Sequence, residues 1–161
     1  MDAQTFAANQ LENHAKSFLK ALTETPEKHF FSDPPAGGHS VAWHALHTAD
    51  WNRVLVSIKL EGVKATERFA YLGWEDIPWQ LAVFGESPVS VTDSKAKILE
   101  FVTHEFERGV KDIRDASPSQ LEQKVPTPTG EREVMSMIVG QIRHMAYHWG
   151  QAKMVALQLA K

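Results

Sequence analysis

The chain has 161 residues, a net charge of −3 with histidine neutral, 43% hydrophobic and 23% charged residues, and no cysteine. That length can bury a core on its own, so one domain spanning residues 1–161 is the expectation. There is no basic stripe for nucleic acid, no apolar run of transmembrane length, and no thiol for a disulfide, a thiolate ligand or a cysteine nucleophile.

The N-terminal Met1-Asp2-Ala3-Gln4 lacks the basic start and apolar core of a secretory signal, and a cytoplasmic location is expected. The pattern then predicts four long helices. The first runs from about Asp2 to Leu22, with Ala7, Leu11, Ala15, Phe18 and Leu22 as its apolar stripe. Asp33-Pro34-Pro35-Ala36-Gly37-Gly38 breaks the chain. Ser40 can cap a second helix, Val41 to about Leu60, which Gly62 ends. The segment from Gly62 to Ser90 carries Phe69, Tyr71, Trp74, Trp79 and Phe84 among glycines and prolines. So aromatic a connection is expected to pack over one end of the helices. Thr92 or Asp93 opens a third helix to about Asp115, with Ile98, Val102, Phe106, Gly109 and Ile113 inward. Prolines and Gly130 punctuate the next connection, and a fourth helix is expected from about Glu131 to Ala160. The fold class is therefore all-α, a four-helix bundle with a long aromatic-rich connection between helices two and three.

Of the eight histidines, two lie four residues apart, His144 and His148. On a helix that spacing puts both imidazoles on one face. The fourth-helix seam reads Val134, Met137, Gln141, His144, His148, Gln151, Val155, so both histidines face the core. Buried polar groups left unpaired cost about 1–3 kcal/mol each, so something inside must satisfy them. In the second helix Trp43, His47, Val54 and Ile58 share a face, with Trp51 close by. His47 is thus a third inward histidine, and bundle cores build metal sites from such facing helices. His44 and His14 fall at stripe edges, His29 and His39 in loops, and His104 on the solvent side. Glu105, at the edge of the inner face of the third helix, could hydrogen-bond a ligand or substrate but reads first as a solvated acid. Gln141 and Gln151 could orient ligands or bond between helices, and Gly150 could permit close helix approach.

These residues resemble a known family. Ser40-Val41-Ala42-Trp43-His44-Ala45-Leu46-His47 is similar to the second-helix signature of the DinB/YfiT-like superfamily, in which a capping Ser or Thr precedes the ligand histidine by seven residues. His144-Met145-Ala146-Tyr147-His148-Trp149-Gly150-Gln151 resembles its fourth-helix signature, commonly His-x-x-x-His-Arg-Gly-Gln. Trp149 stands where that motif has arginine, so any role of a guanidinium there is lost. The resemblance implies a divalent metal ion, zinc or nickel or else iron, held by His47, His144 and His148. It also implies homodimers and thiol-dependent transferases or isomerases. The expected function is a metal-dependent hydrolase, or a transferase that activates a small-molecule thiol toward a small electrophile. The alternatives are a non-enzymatic, metal-stabilised dimeric interaction or stress-related protein, and a set of hydrogen-bonded core histidines without an ion.

Overall fold

A computed structural model describes residues 2–62, 68–73, 87–127 and 130–161. Trp74, Trp79 and Phe84 of the aromatic connection lie outside the described residues. The fold is predominantly helical: α1 (Ala3–Glu24), α2 (Glu27–Phe30), α3 (Val41–Asn52), a π-helical turn (Arg53–Ser57), α4 (Ile58–Glu61), α5 (Lys95–Asp115), α6 (Pro118–Glu122) and α7 (Val134–Leu159), with a short hairpin of β1 (Lys124–Thr127) and β2 (Gly130–Glu133). Among the described residues no helix is long and apolar enough to cross a membrane.

Helices α1, α3 and α5 begin where a short polar side chain meets their free N–H groups. The Thr5 N–H donates to Asp2 Oδ1 at 2.7 Å, Trp43 N–H to Ser40 Oγ at 3.3 Å, and Lys97 N–H to Ser94 Oγ at 3.3 Å. The cap of α5 is therefore Ser94, one or two residues after the expected position. Gly62, at φ 86°, stops α4 in a conformation that a side chain would disfavour.

Helix α1 packs on α5 and α7, and α3 packs on the same two. The α1–α5 contact is antiparallel and tied at both ends. The amide of Gln4 donates to the carbonyls of Ile113 and Ala116 at 2.7 and 2.8 Å, and Lys95 Nζ donates to Thr23 O at 2.9 Å. These bonds satisfy helix-terminal carbonyls that have no partner within their own helix. Between the helices lie Leu11, Phe18, Leu22, Leu46, Ile98, Phe106, Ile113, Ile138 and Met145, all essentially without solvent contact.

Two features depart from the expected pattern. The fourth helix starts at Val134, not Glu131, because Gly130–Glu133 pairs antiparallel with Lys124–Thr127. That register sets Lys124 opposite Glu133, a favourable cross-strand pair, and the apolar stripe of α7 begins only at Val134. The other departure is the glycine that allows close approach. A Cβ on Gly150 would meet nothing within 4 Å, whereas one on Gly109 would lie 2.4 Å from Asn52 Nδ2. That amide is buried and donates to Glu105 O at 2.8 Å, bonding α3 to α5.

Opposite outcomes are expected at these two glycines. Gly109→Ala should destabilise the protein by about 1–3 kcal/mol in denaturant unfolding, since the overlap displaces Asn52 from a full interior. Gly150→Ala should stabilise it by up to about 1 kcal/mol, the ordinary helix-propensity gain.

Candidate metal centre

Helix α3 brings His44 and His47 to its contact with α7, which brings His144 and His148. One ring nitrogen from each of His47, His144 and His148 lies within 4.8 Å of the others. The sequence-predicted trio thus converges. His47 and His148 are buried and His144 is half-buried at the edge of the α7 seam, which runs through Gln141, Met145, His148 and Ala152.

His47 is the best fixed of the three. Its Nδ1 lies 2.5 Å from the carbonyl oxygen of Tyr71. A carbonyl only accepts, so Nδ1 carries the proton and Nε2 presents a lone pair. That Nε2 lies 3.1 Å from His144 Nε2. Ligand nitrogens about 2.0–2.1 Å from a tetrahedral zinc are separated by about 3.3 Å, so this pair is spaced to share a cation. Among the described residues His144 Nδ1 is buried with no hydrogen-bond partner. Whichever nitrogen of His144 holds the proton, its Nδ1 is uncompensated among the described residues, at a cost of about 1–3 kcal/mol.

His44 enters this geometry unexpectedly. It is 3% exposed instead of lying at a stripe edge, and its Nδ1 is 2.9 Å from His148 Nδ1. One proton serves that contact. When His148 supplies it, Nε2 of His148 is left bare for a cation and His44 orients the ring, as outer partners of ligating histidines do. The helical spacing of His44 and His148 could not show this, because the contact depends on how α3 rotates against α7.

The surroundings are aromatic. Trp43 stacks on His47 with ring centroids 4.4 Å apart and also stacks on His39 with centroids 3.7 Å apart. Trp51 meets His144 edge-on at 5.9 Å. Burial pushes the His144 imidazole down to about 3, the His148 imidazole to about 2 and that of His44 to about 4, and neighbouring histidines add to each fall. All three are neutral at physiological pH and have lone pairs to offer.

The other expected residues fall elsewhere. Gln141 donates its amide to Thr48 O at 3.1 Å, so it bonds between helices instead of orienting a ligand. His104 is exposed, as its position predicts. Glu105 is not solvated: it is 6% exposed, accepts from Arg108 at 3.3 Å and lies 3.8 Å from Arg53 Nε. Trp149, at the arginine position of the motif, packs partly buried against the apolar core.

The chain resembles, over 91% of its own length and 59% of theirs, the crystal structure of the mycothiol-dependent maleylpyruvate isomerase and that of a mutant of it, at 12% and 14% identity and TM-scores of 0.66 and 0.64. The present chain thus spans about three-fifths of the length of those proteins, and the likeness is one of fold. No curated protein sequence matches it. The DinB superfamily profile matches residues 10–152, which takes in α3, α5 and the histidines of α7, and the chain belongs to that superfamily.

Proposed function

We propose that this protein is a four-helix bundle of one domain that binds a divalent metal ion through His47, His144 and His148, and that it is a metal-dependent enzyme. Zinc or nickel suits three imidazoles, and iron is the next choice. The observation that carries the reading is the convergence of one ring nitrogen from each of His47, His144 and His148, with a backbone carbonyl holding the His47 proton at Nδ1 so that Nε2 offers its lone pair. When bound, a divalent cation supplies Lewis acidity, lowering the pKa of a water or of a thiol at its open position.

The residues define what such a centre would take. The chain has no cysteine, so a thiol must come from a small-molecule cosubstrate. The solved structures that share the fold bear the name of a mycothiol-dependent enzyme, which favours a thiol over water. Trp43 and Trp51 flank the cluster with apolar rings suited to a small electrophile. The proposed reaction is therefore thiol transfer or thiol-dependent isomerisation, with hydrolysis as the variant in which water takes the thiol's place.

A second reading is a metal-stabilised, homodimeric, cytoplasmic interaction protein without turnover. It draws on the outer face of α7, where Val139, Tyr147, Met154 and Leu157 are exposed at near-helical spacing.

Protein purified without an affinity tag should carry stoichiometric divalent metal by elemental analysis, and His148→Ala should remove it. Full retention in that variant would contradict the ligand assignment. With cobalt in the site, a small thiol should produce a sulfur-to-metal absorption band. A metal-dependent melting temperature with no such band and no turnover favours the second reading.

Affinity for zinc should also resist acid. Protons compete for a ligand nitrogen only below its pKa, and the low values of His144 and His148 place that competition far below neutral. From pH 7.5 to 5.5 the affinity should fall by less than about tenfold, against about a thousandfold for three exposed imidazoles of ordinary pKa near 6.5. Competition with a chromophoric chelator across that range measures it.

A further inference from the structure

His47 and Asp50 lie three residues apart on α3 and so share a face. Both grip the same residue of the chain that crosses above them. The carbonyl of Tyr71 accepts from His47 Nδ1, and the N–H of Tyr71 donates to Asp50 Oδ2 at 3.0 Å. The N–H of Ala70 donates to the same oxygen at 3.2 Å. Asp50 is wholly buried, and its other oxygen accepts from the Arg53 guanidinium at 2.9 Å. The same guanidinium nitrogen donates to Arg68 O at 2.9 Å, and the group sits 4.3 Å over the Phe69 ring. Trp51 Nε1 donates to Leu72 O at 3.0 Å.

Residues 68–72 are thus held against α3 by His47, Asp50, Trp51 and Arg53, and these polar contacts all land on backbone atoms. A buried carboxylate is costly unless it is paired and fully hydrogen-bonded. Here one guanidinium and two amide N–H groups meet that demand, and the result is a peptide segment with little freedom to rotate. The Tyr71 carbonyl meets His47 while Asp50 fixes the N–H of the same residue from the same helix face.

We propose that Asp50, paired with Arg53, is a positioning residue that sets the tautomer and ring orientation of His47 through the backbone of Tyr71. This rests on the metal-binding reading for its purpose, but the tautomer itself is a property of the metal-free chain. Without the clamp the Tyr71 carbonyl turns away, the His47 proton is free to move to Nε2, and the lone pair facing the cluster is lost. Outer partners of metal-ligating histidines commonly change affinity 10–100-fold when removed. Asp50 would act as one at a remove, through a main-chain carbonyl.

The test compares the parent with Asp50→Asn, which keeps the size and one acceptor, and with Asp50→Ala should the amide variant fail to fold. Two measurements are made on each. Nitrogen-15 spectra of the histidine rings in chelator-treated protein read the tautomer. The expected result is His47 protonated at Nδ1 in the parent, and in exchange between both tautomers in the variant. A folded variant whose His47 keeps the parent tautomer overturns the proposal, and so does a parent protonated at Nε2. Zinc affinity, by competition with a chromophoric chelator, should fall about tenfold or more in the variant. Unchanged affinity together with a lowered melting temperature would make Asp50 merely structural. A parent that binds no zinc would defeat the metal reading alone, and the tautomer measurement would still decide the role of Asp50.

Discussion

The bond from His47 Nδ1 to the Tyr71 carbonyl gives the histidine cluster its direction. In a dry interior every ring nitrogen must donate, accept or hold a metal, and most such contacts between imidazoles are ambiguous because either ring can supply the proton. A carbonyl removes that ambiguity at one position. Once His47 donates from Nδ1, its Nε2 is bare, and what lies opposite must be a proton or a cation. His144 Nε2 stands there, with its own Nδ1 buried and unpartnered among the described residues. A hydrogen bond between the two rings satisfies one side of His144 only. A cation between them would take the lone pairs of both Nε2 atoms, with the His144 proton then on Nδ1, which lacks a hydrogen-bond partner among the described residues in either case.

Helix packing supplies the rest of the geometry. Asn52 Nδ2 reaches the α5 backbone across a gap that Gly109 leaves open, and Gln141 reaches the α3 backbone at Thr48. These two amides set how α3 sits against its neighbours, and α3 carries both His47 and the clamp on residues 68–72. The π-helical turn Arg53–Ser57 begins at the residue whose guanidinium completes that clamp, and such turns occur often at functional sites.

The sequence already indicated the long helices, the cap at Ser40, and the three converging histidines. Each of those has a local cause: apolar spacing, a short acceptor before a helix, or ring positions four residues apart. What it concealed depends on distant contacts. His44 reads as an edge residue on its own helix, and only the approach of α7 makes it the partner of His148. Glu105 reads as solvated, yet Arg53 and Arg108 draw it inside. The hairpin before α7 was hidden because a run such as Gly130-Glu131-Arg132-Glu133 has no apolar alternation to mark a strand. Gly150 looked like the point of close approach since the motif includes it, but a Cβ there would meet nothing within 4 Å.

The charge of the site follows from the same contacts. Three neutral imidazoles bring no negative charge to a bound cation. Among the described residues the carboxylate of Asp50, on the same face of α3, is already matched by Arg53. Burial pushes the Asp50 carboxyl up only to about 6, because Arg53 and two N–H donors offset the desolvation, so the pair stays ionised and balanced at neutral pH. A divalent ion held by His47, His144 and His148 would therefore keep its full charge in surroundings flanked by Trp43 and Trp51. Such a centre favours an anion at its open position, and a soft thiolate fits beside indole rings better than a strongly hydrated carboxylate does. Trp149, at the arginine position of the motif, packs on the core and brings no charge there, whereas a guanidinium could pair with a carboxylate.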